Sequence, residues 1–292
     1  MKALILGANG QLGRELAMTL PDGATLVAHD RVGLDITDVQ AVSEAFSSER
    51  PQLVINAAAY TAVDQAESEP ELAQAVNAVG AGHVAAVAAA QGARLVHVST
   101  DYVFDGTAST PYLPEARTRP LSVYGKSKRD GEEAVQAACP EAIVLRTAWL
   151  YAAGGRNFVT TMLRLMRDGK QLRVVADQVG TPTWARTLAE AVWALGLNLA
   201  AHGVHHWTDA GVASWYDLAV AIQDEALTLG MLKRPVDITP IATAEYPTPA
   251  RRPAYSVLDC RTTREIAGVP VRYWRHALRE LLTEVGKDAK TG

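Results

Sequence analysis

The chain has 292 residues, 48% of them hydrophobic and 21% charged, with a formal net charge of −4. This composition excludes collagen, a disordered chain and a coiled coil, and a slightly acidic balance without a basic stripe argues against nucleic acid as a partner. At roughly 150 residues per domain, the length predicts one large domain or two smaller ones. Cys139 and Cys260 are too few for a disulfide framework or a four-thiolate metal site, which fits a reducing compartment. No apolar run approaches the ~18 to 20 residues that span a bilayer. The apolar start meets Gly7 too soon for a secretory signal. A cytoplasmic protein with no membrane partner is expected.

Strands are predicted at residues 3–6, 25–28, 53–56, 94–98 and 143–146, all nearly continuous in Val, Ile and Leu. Helices are predicted between them at 11–20, 38–49, 71–90 and 124–138. Such alternation implies a parallel sheet covered on both faces, and right-handed crossovers make it doubly wound. After about residue 147 the pattern changes. Helices are expected at 157–168, 186–199, 214–229 and 274–285, and strands at 170–176 and 202–207. The stretch holding Pro235, Pro240, Pro247, Pro249 and Pro253 cannot be regular throughout. Residues beyond Lys287 are expected to fray. The fold class is therefore α/β: a Rossmann-like doubly wound parallel sheet with a smaller, interleaved C-terminal lobe. Residues 1–150 are expected to form the core, to which 170–210 return, and 151–169 with 211–292 the lobe.

Gly7, Gly10 and Gly13 follow the first strand and open the first helix. A tight turn there lets backbone N–H groups, at a helix N-terminus, approach a pyrophosphate. Asp30 ends the second strand, where an acid accepts from the adenosine ribose, while the neighbouring Arg31 suits a 2′-phosphate. The choice between NADH and NADPH stays open. Asp35 and Ile36 are candidates for the adenine pocket, and the small residues 57–59 leave room for the cofactor backbone.

Tyr124 and Lys128 lie at i and i+4 and share one helix face. An ammonium beside a phenol is expected to lower the tyrosine pKa and ready it for proton exchange with a substrate oxygen. Thr100 lies just past the carboxyl end of the fourth strand, where open α/β sheets place ligands. Other features read as bland. His202, His205 and His206 lack metal-ligand spacing and read as surface residues. Trp207, Trp215 and Tyr216 read as core of the second lobe.

With these residues together, the chain resembles the extended short-chain dehydrogenase/reductases, and within them the nucleotide-sugar branch. The resemblance covers most of the chain. It rests on residues 7–13, 56–64, 99–106, 124–128, 146–151, 177–183 and 250–253. It implies reduction of the C4 ketone of dTDP-4-dehydro-L-rhamnose by NADPH or NADH, yielding dTDP-L-rhamnose. Tyr124 would donate the proton, Lys128 would hold the nicotinamide ribose, and Thr100 would bond the same substrate oxygen. Gly10, Gln11 and Leu12 would touch the cofactor phosphates, with Asp30, Asp35, Ile36, Ala59, Tyr60 and Thr61 along the cofactor's length. Val63, Asp101, Tyr102, Trp149 and Arg252 would meet the substrate. Some family members bind Mg²⁺ between subunits through carboxylates. Glu15 is the candidate ligand, and Arg186 stands where a second acid would help. A homodimer also fits the resemblance. Two alternatives remain: an epimerase or dehydratase of the same superfamily, and a non-catalytic NADP-binding regulatory subunit of the methionine adenosyltransferase type.

Overall fold

A computed structural model describes the backbone of residues 1–291 and the side chains of residues 1–287. Five strands alternate with helices through the first half: β1 (Lys2–Leu6), α1 (Gln11–Met18), β2 (Thr25–His29), α2 (Val39–Glu49), β3 (Leu53–Asn56), α3 (Pro70–Gln74), α4 (Ala81–Gln91), β4 (Arg94–Thr100), α5 (Val123–Ala138) and β5 (Ile143–Thr147). The second half adds β6 (Leu150–Tyr151), α6 (Phe158–Arg167), β7 (Leu172–Val175), β8 (Val179–Gly180), β9 (Thr183–Trp184) and α7 (Ala185–Leu197). It continues with β10 (Gly203–His206), β11 (Ala213–Ser214), α8 (Trp215–Thr228), β12 (Ile238–Ile241), α9 (Arg261–Ala267) and α10 (Trp274–Thr291). The main sheet has the order β2-β1-β3-β4-β5-β10, and every pairing in it is parallel.

Side-chain alternation along β1 shows why the sheet is covered twice. Ala3 and Ile5 join a core with Leu12 and Leu16 of α1 and Leu188 and Val192 of α7. Leu4 and Leu6 join another with Val42 and Phe46 of α2, Val84 of α4 and Val135 of α5. Each fully buried Leu or Ile contributes about 2 kcal/mol by leaving water. A separate core draws on α6, α8 and α10, with Leu163, Ile222 and Leu281 wholly or almost wholly buried. Sequence order reverses direction between β1 and β3, and their carboxyl ends open a crevice. That is where such folds take ligands.

Several expectations are corrected. The helix expected at 71–90 runs Pro70–Gln91 and carries a π-helical insert at Ala75–Gly80. By length and composition this helix could cross a membrane, contrary to the expectation that no segment is long and apolar enough. Its Ala81, Val84, Ala85 and Ala88 are nevertheless buried against the sheet core. The strand expected at 170–176 is shorter, and it pairs in parallel with β12 inside the proline-rich stretch. Pro240 fits there because it lies in a two-stranded edge pairing that spares its missing N–H. The last helix passes its expected end and stays helical to Thr291, where fraying was expected; residue 292 lies outside the described residues. His205 and His206 are buried, not superficial, because β10 is an edge strand covered by α9 through Thr263. Burial beside Arg146 pulls His206 down to about 3.

Candidate active site

The crevice begins at the glycine turn. Gly7 has φ +86°, and a Cβ on it would lie 2.7 Å from the Ala58 nitrogen, so the ends of β1 and β3 can touch only through glycine. A Cβ on Gly13 would lie 2.4 Å from the Gly7 carbonyl oxygen, which fixes α1 against the turn. Gly10 caps α1 without any side chain, leaving the helix N-terminus bare. Asp30 divides its carboxylate between its own loop and the glycine turn: Oδ1 accepts from the Val32 and Gly33 nitrogens at 3.0 and 2.9 Å, and Oδ2 accepts from Asn9. The Arg31 side chain is 72% exposed, with only Asp35 at 4.0 Å. Asp35 is held below the usual carboxylate range, chiefly by the Thr37 backbone N–H, and then by its hydroxyl.

Further along, β4 delivers Thr100 and α5 delivers Tyr124 and Lys128. The Ser122 hydroxyl accepts from the Gly125 nitrogen at 3.2 Å and starts α5 one residue before Tyr124. A Cβ on Gly125 would lie 2.3 Å from the Tyr102 carbonyl oxygen, so α5 can lie this close to the end of β4 only with glycine there. Thr100, Tyr124 and Lys128 are 6%, 9% and 2% exposed. Lys128 Nζ donates to the Val98 carbonyl at 2.7 Å. Burial pulls Lys128 down to about 8, with the Glu132 charge opposing. Burial pushes Tyr124 up to about 12, against the hydrogen bond with Thr100. The expected lowering of the tyrosine is therefore corrected: loss of hydration outweighs any help, and the ammonium is turned to a carbonyl. Such a phenol keeps its proton at neutral pH and can give it to a developing alkoxide. Asp101, buried and bonded to Thr100 and Ser256, is raised to about 6 by burial. Tyr102 packs edge-on to Tyr124, ring centroids 5.6 Å apart.

One cavity of about 890 Å³ is lined by Gly7, Gly10, Gln11, Leu12, Gly13, Asp30, Arg31, Asp35 and Ile36, then by Ala59, Tyr60, Thr61, Val63, Thr100, Asp101, Tyr102, Tyr124, Lys128 and Trp149. Two of the sequence candidates are not in this lining. Arg252 is clamped by Asp64, with Nη1 and Nη2 donating to its two oxygens at 3.0 and 2.8 Å. Glu15 is buried on α1, its carboxyl raised by burial and paired with Arg186 at 2.9 Å. Among the described residues no group of three or more His, Cys, Asp or Glu is placed to hold a metal ion.

Further residues that local patterns did not single out line the cavity or hold its lining in place. Asn157 caps α6 and donates to Gln11 Oε1 at 2.9 Å, tying α6 to the glycine turn. Asn77, in the π-helical insert, accepts from the Tyr60 nitrogen at 2.8 Å and donates to Ser127 Oγ at 3.0 Å. Trp215, read as core, also lines the cavity and lies flat on Trp149, centroids 3.5 Å apart. The block 177–183 explains this pairing. Gln178 accepts from the Trp215 indole at 3.1 Å, and Gly180 yields to Trp149, whose ring a Cβ would meet at 2.5 Å.

The family described as RmlD substrate binding domain matches residues 1–287. A probable dTDP-4,6-dihydroxy-2-methyloxan-3-one 4-ketoreductase of Streptomyces antibioticus is 46% identical, over 98% of this chain and 96% of that protein. A dTDP-4-dehydrorhamnose reductase of Aggregatibacter actinomycetemcomitans is 42% identical, over 96% of this chain and 98% of that protein. The crystal structure of dTDP-4-dehydrorhamnose reductase from Bacillus anthracis in complex with NADP superposes with a TM-score of 0.92 at 36% identity, covering 97% of this chain and 99% of that one. By the extent of these matches, the chain belongs to the RmlD substrate binding domain family.

Proposed function

We propose that this chain reduces the C4 ketone of dTDP-4-dehydro-L-rhamnose to dTDP-L-rhamnose with NADPH or NADH. The observation that carries this reading is the meeting, in one cavity, of a bare glycine turn at a helix N-terminus with Thr100, Tyr124 and Lys128. Two relatives reinforce it: one named for this reaction, the other solved with NADP bound. In this reading, residues 1–150 with 185–210 hold the cofactor and residues 151–184 with 211–292 hold the sugar nucleotide; the segment 170–184, expected in the core, packs with the lobe through Leu172, Val174 and Trp184. Support comes from α7 and β10 returning to the main sheet core, and from the separate core of α6, α8 and α10.

The residues present fit a dinucleotide. Gly10 caps α1 with no side-chain hydrogen bond, so the first N–H groups of α1 have no capping side chain, and the α1 terminus favours anions. Asp30 is occupied by Val32, Gly33 and Asn9, and next to it the exposed Arg31, with Asp35 at 4.0 Å, offers a cation to a 2′-phosphate. Both cofactors should therefore serve. When bound, the reduced nicotinamide supplies a hydride to C4. Tyr124 gives its phenolic proton to the C4 oxygen, so one hydride and one proton convert the ketone to an alcohol. Thr100 bonds the same oxygen and orients it. Lys128 holds the nicotinamide ribose, and bulk solvent returns the proton to Tyr124. Glu15, answered by Arg186, is read as a structural ion pair. The enzyme is read as a cytoplasmic homodimer, checked by fractionation and by sedimentation.

The 46% identity to the Streptomyces antibioticus 4-ketoreductase favours a second reading, reduction of another dTDP-4-keto sugar at the same carbon. Purified protein is mixed with NADPH or NADH and each keto sugar, and loss of the reduced nicotinamide is followed. The proposal expects one cofactor oxidised per sugar, with kcat/KM highest for dTDP-4-dehydro-L-rhamnose. Net oxidation absent with every keto sugar would contradict it and favour an epimerase, a dehydratase or a regulatory subunit.

A further inference from the structure

Behind the cavity floor lies a buried ion pair that the reaction as described does not use. Glu132 is one helical turn beyond Lys128 on α5 and is 3% exposed. Arg146, on β5, grips it along one edge of its guanidinium: Nε donates to Oε1 at 2.9 Å and Nη2 to Oε2 at 2.7 Å. Ser99 Oγ donates to the same carboxylate at 2.5 Å. Sheet register makes this possible, since Ser99 and Arg146 are paired across β4 and β5. Arg146 is fixed in turn, donating through Nη1 to the Pro114 carbonyl at 2.9 Å, with His206 Nε2 at 3.3 Å. The residue before Ser99 is Val98, whose carbonyl receives Lys128. Two adjacent residues at the end of β4 therefore anchor both the ammonium and the carboxylate.

We propose that Glu132 is a positioning residue for the reduction, supplying the buried negative charge that keeps Lys128 an ammonium at the cavity floor, with Arg146 and Ser99 fixing where that charge sits. The proposal rests on the reading that Lys128 works at the reacting end of the cavity. Isolated ions are costly to bury, and the cheapest escape for a lysine is to lose its proton. A guanidinium does not take that route in proteins, so between Arg146 and Lys128 it is the lysine that yields. The other titratable groups around the floor offer no substitute. His97 on β4 is buried and held well below its ordinary value, with Lys128 itself contributing. Tyr124, one turn back on α5, stays protonated at neutral pH. Asp101 follows β4, and its carboxyl faces Thr100 and Ser256. Glu132 is the acidic side chain that offsets burial at Lys128.

The test reads the lysine directly. Trace competitive labelling with acetic anhydride across pH, followed by peptide mass analysis, titrates Lys128 in the whole protein. It is run on wild type, Glu132→Gln, Arg146→Met and the double variant, alongside kcat/KM for the keto sugar. In Glu132→Gln, the Lys128 titration and the alkaline limb of activity should both move to lower pH by about one unit or more. Activity should recover at the acid end of the range. Arg146→Met should move both to higher pH. The double variant removes both buried charges together, so it keeps the interior balanced; it should shift in the direction of Glu132→Gln, by less. It decides the matter alone should the single variants not fold. A Lys128 titration unmoved in the variants, with activity lowered evenly at every pH, overturns the proposal and leaves Glu132 a purely structural residue. A shifted titration in a protein without reductase activity supports the proposal for Lys128 and sinks the reductase reading instead.

Discussion

The floor of the cavity and its roof are held by different kinds of contact. On the floor, Thr100, Tyr124 and Lys128 stand on a strand end and one helix, and each is at most 9% exposed. Their places follow from backbone: Lys128 on the Val98 carbonyl, and Gly125 under the Tyr102 carbonyl. On the roof, Trp149 and Trp215 hold each other, and their supports Gln178 and Gly180 come from a third segment. Chemistry is thus fixed by the sheet, while recognition depends on contacts between parts of the chain far apart in sequence. A sheet-built floor can serve many sugars, and a roof made of loops and helix ends is where one sugar would be told from another.

The largest effect should come from the floor. Tyr124→Phe removes the proton donor but little volume, so kcat should fall by roughly 10²- to 10⁴-fold while NADPH affinity, read by fluorescence titration, stays unchanged. A variant retaining the wild-type rate would remove Tyr124 from the reaction. Next comes the turn. Gly13→Ala forces a Cβ to within 2.4 Å of a backbone carbonyl that cannot move aside. Overpacking of this kind costs about 1–3 kcal/mol, which should appear as a loss of roughly 5- to 150-fold in NADPH affinity.

Arg94→Ala serves as a contrast to both regions. This guanidinium closes the end of α7 by donating to the carbonyls of Leu195, Gly196, Asn198 and Ala201, the shortest at 2.7 Å. Its loss should cost about 2 kcal/mol and lower Tm by several degrees, about 4–8 °C, with kcat unchanged at moderate temperature. The smallest effect belongs to the roof. Trp215→Leu takes away one partner of an aromatic pair worth about 0.5–1.5 kcal/mol, so KM for the sugar nucleotide should rise roughly 2- to 10-fold. An equal rise in cofactor Kd would mean that the roof and the floor are not separable.

This difference also explains what could be read from the sequence. Strands β1, β3, β4 and β5 announce themselves because burial on both faces makes them rich in Val, Ile and Leu, whereas the edge strand β2 is only partly buried and is legible from its own short apolar run. The glycine turn and the Tyr124–Lys128 spacing are local, so a linear pattern carries them. Asn77, Asn157 and Trp215 were not legible as site residues, since each acquires its role from a partner far along the chain: Tyr60 and Ser127, Gln11, and Trp149. The burial of His205 and His206 is illegible for the same reason, because β10 and α9 cover one another. The direction of the Tyr124 shift is not legible in the sequence, because helical spacing says who is near, whereas burial decides the charge.

The central claim is hydride delivery to C4 above a neutral phenol. Reduced cofactor carrying deuterium at the transferred position tests it most directly, with the sugar product examined by mass spectrometry and NMR. The account predicts a single deuterium bound to C4, with one cofactor consumed for every ketone lost. Product without deuterium at C4, or turnover without net consumption of cofactor, would contradict it.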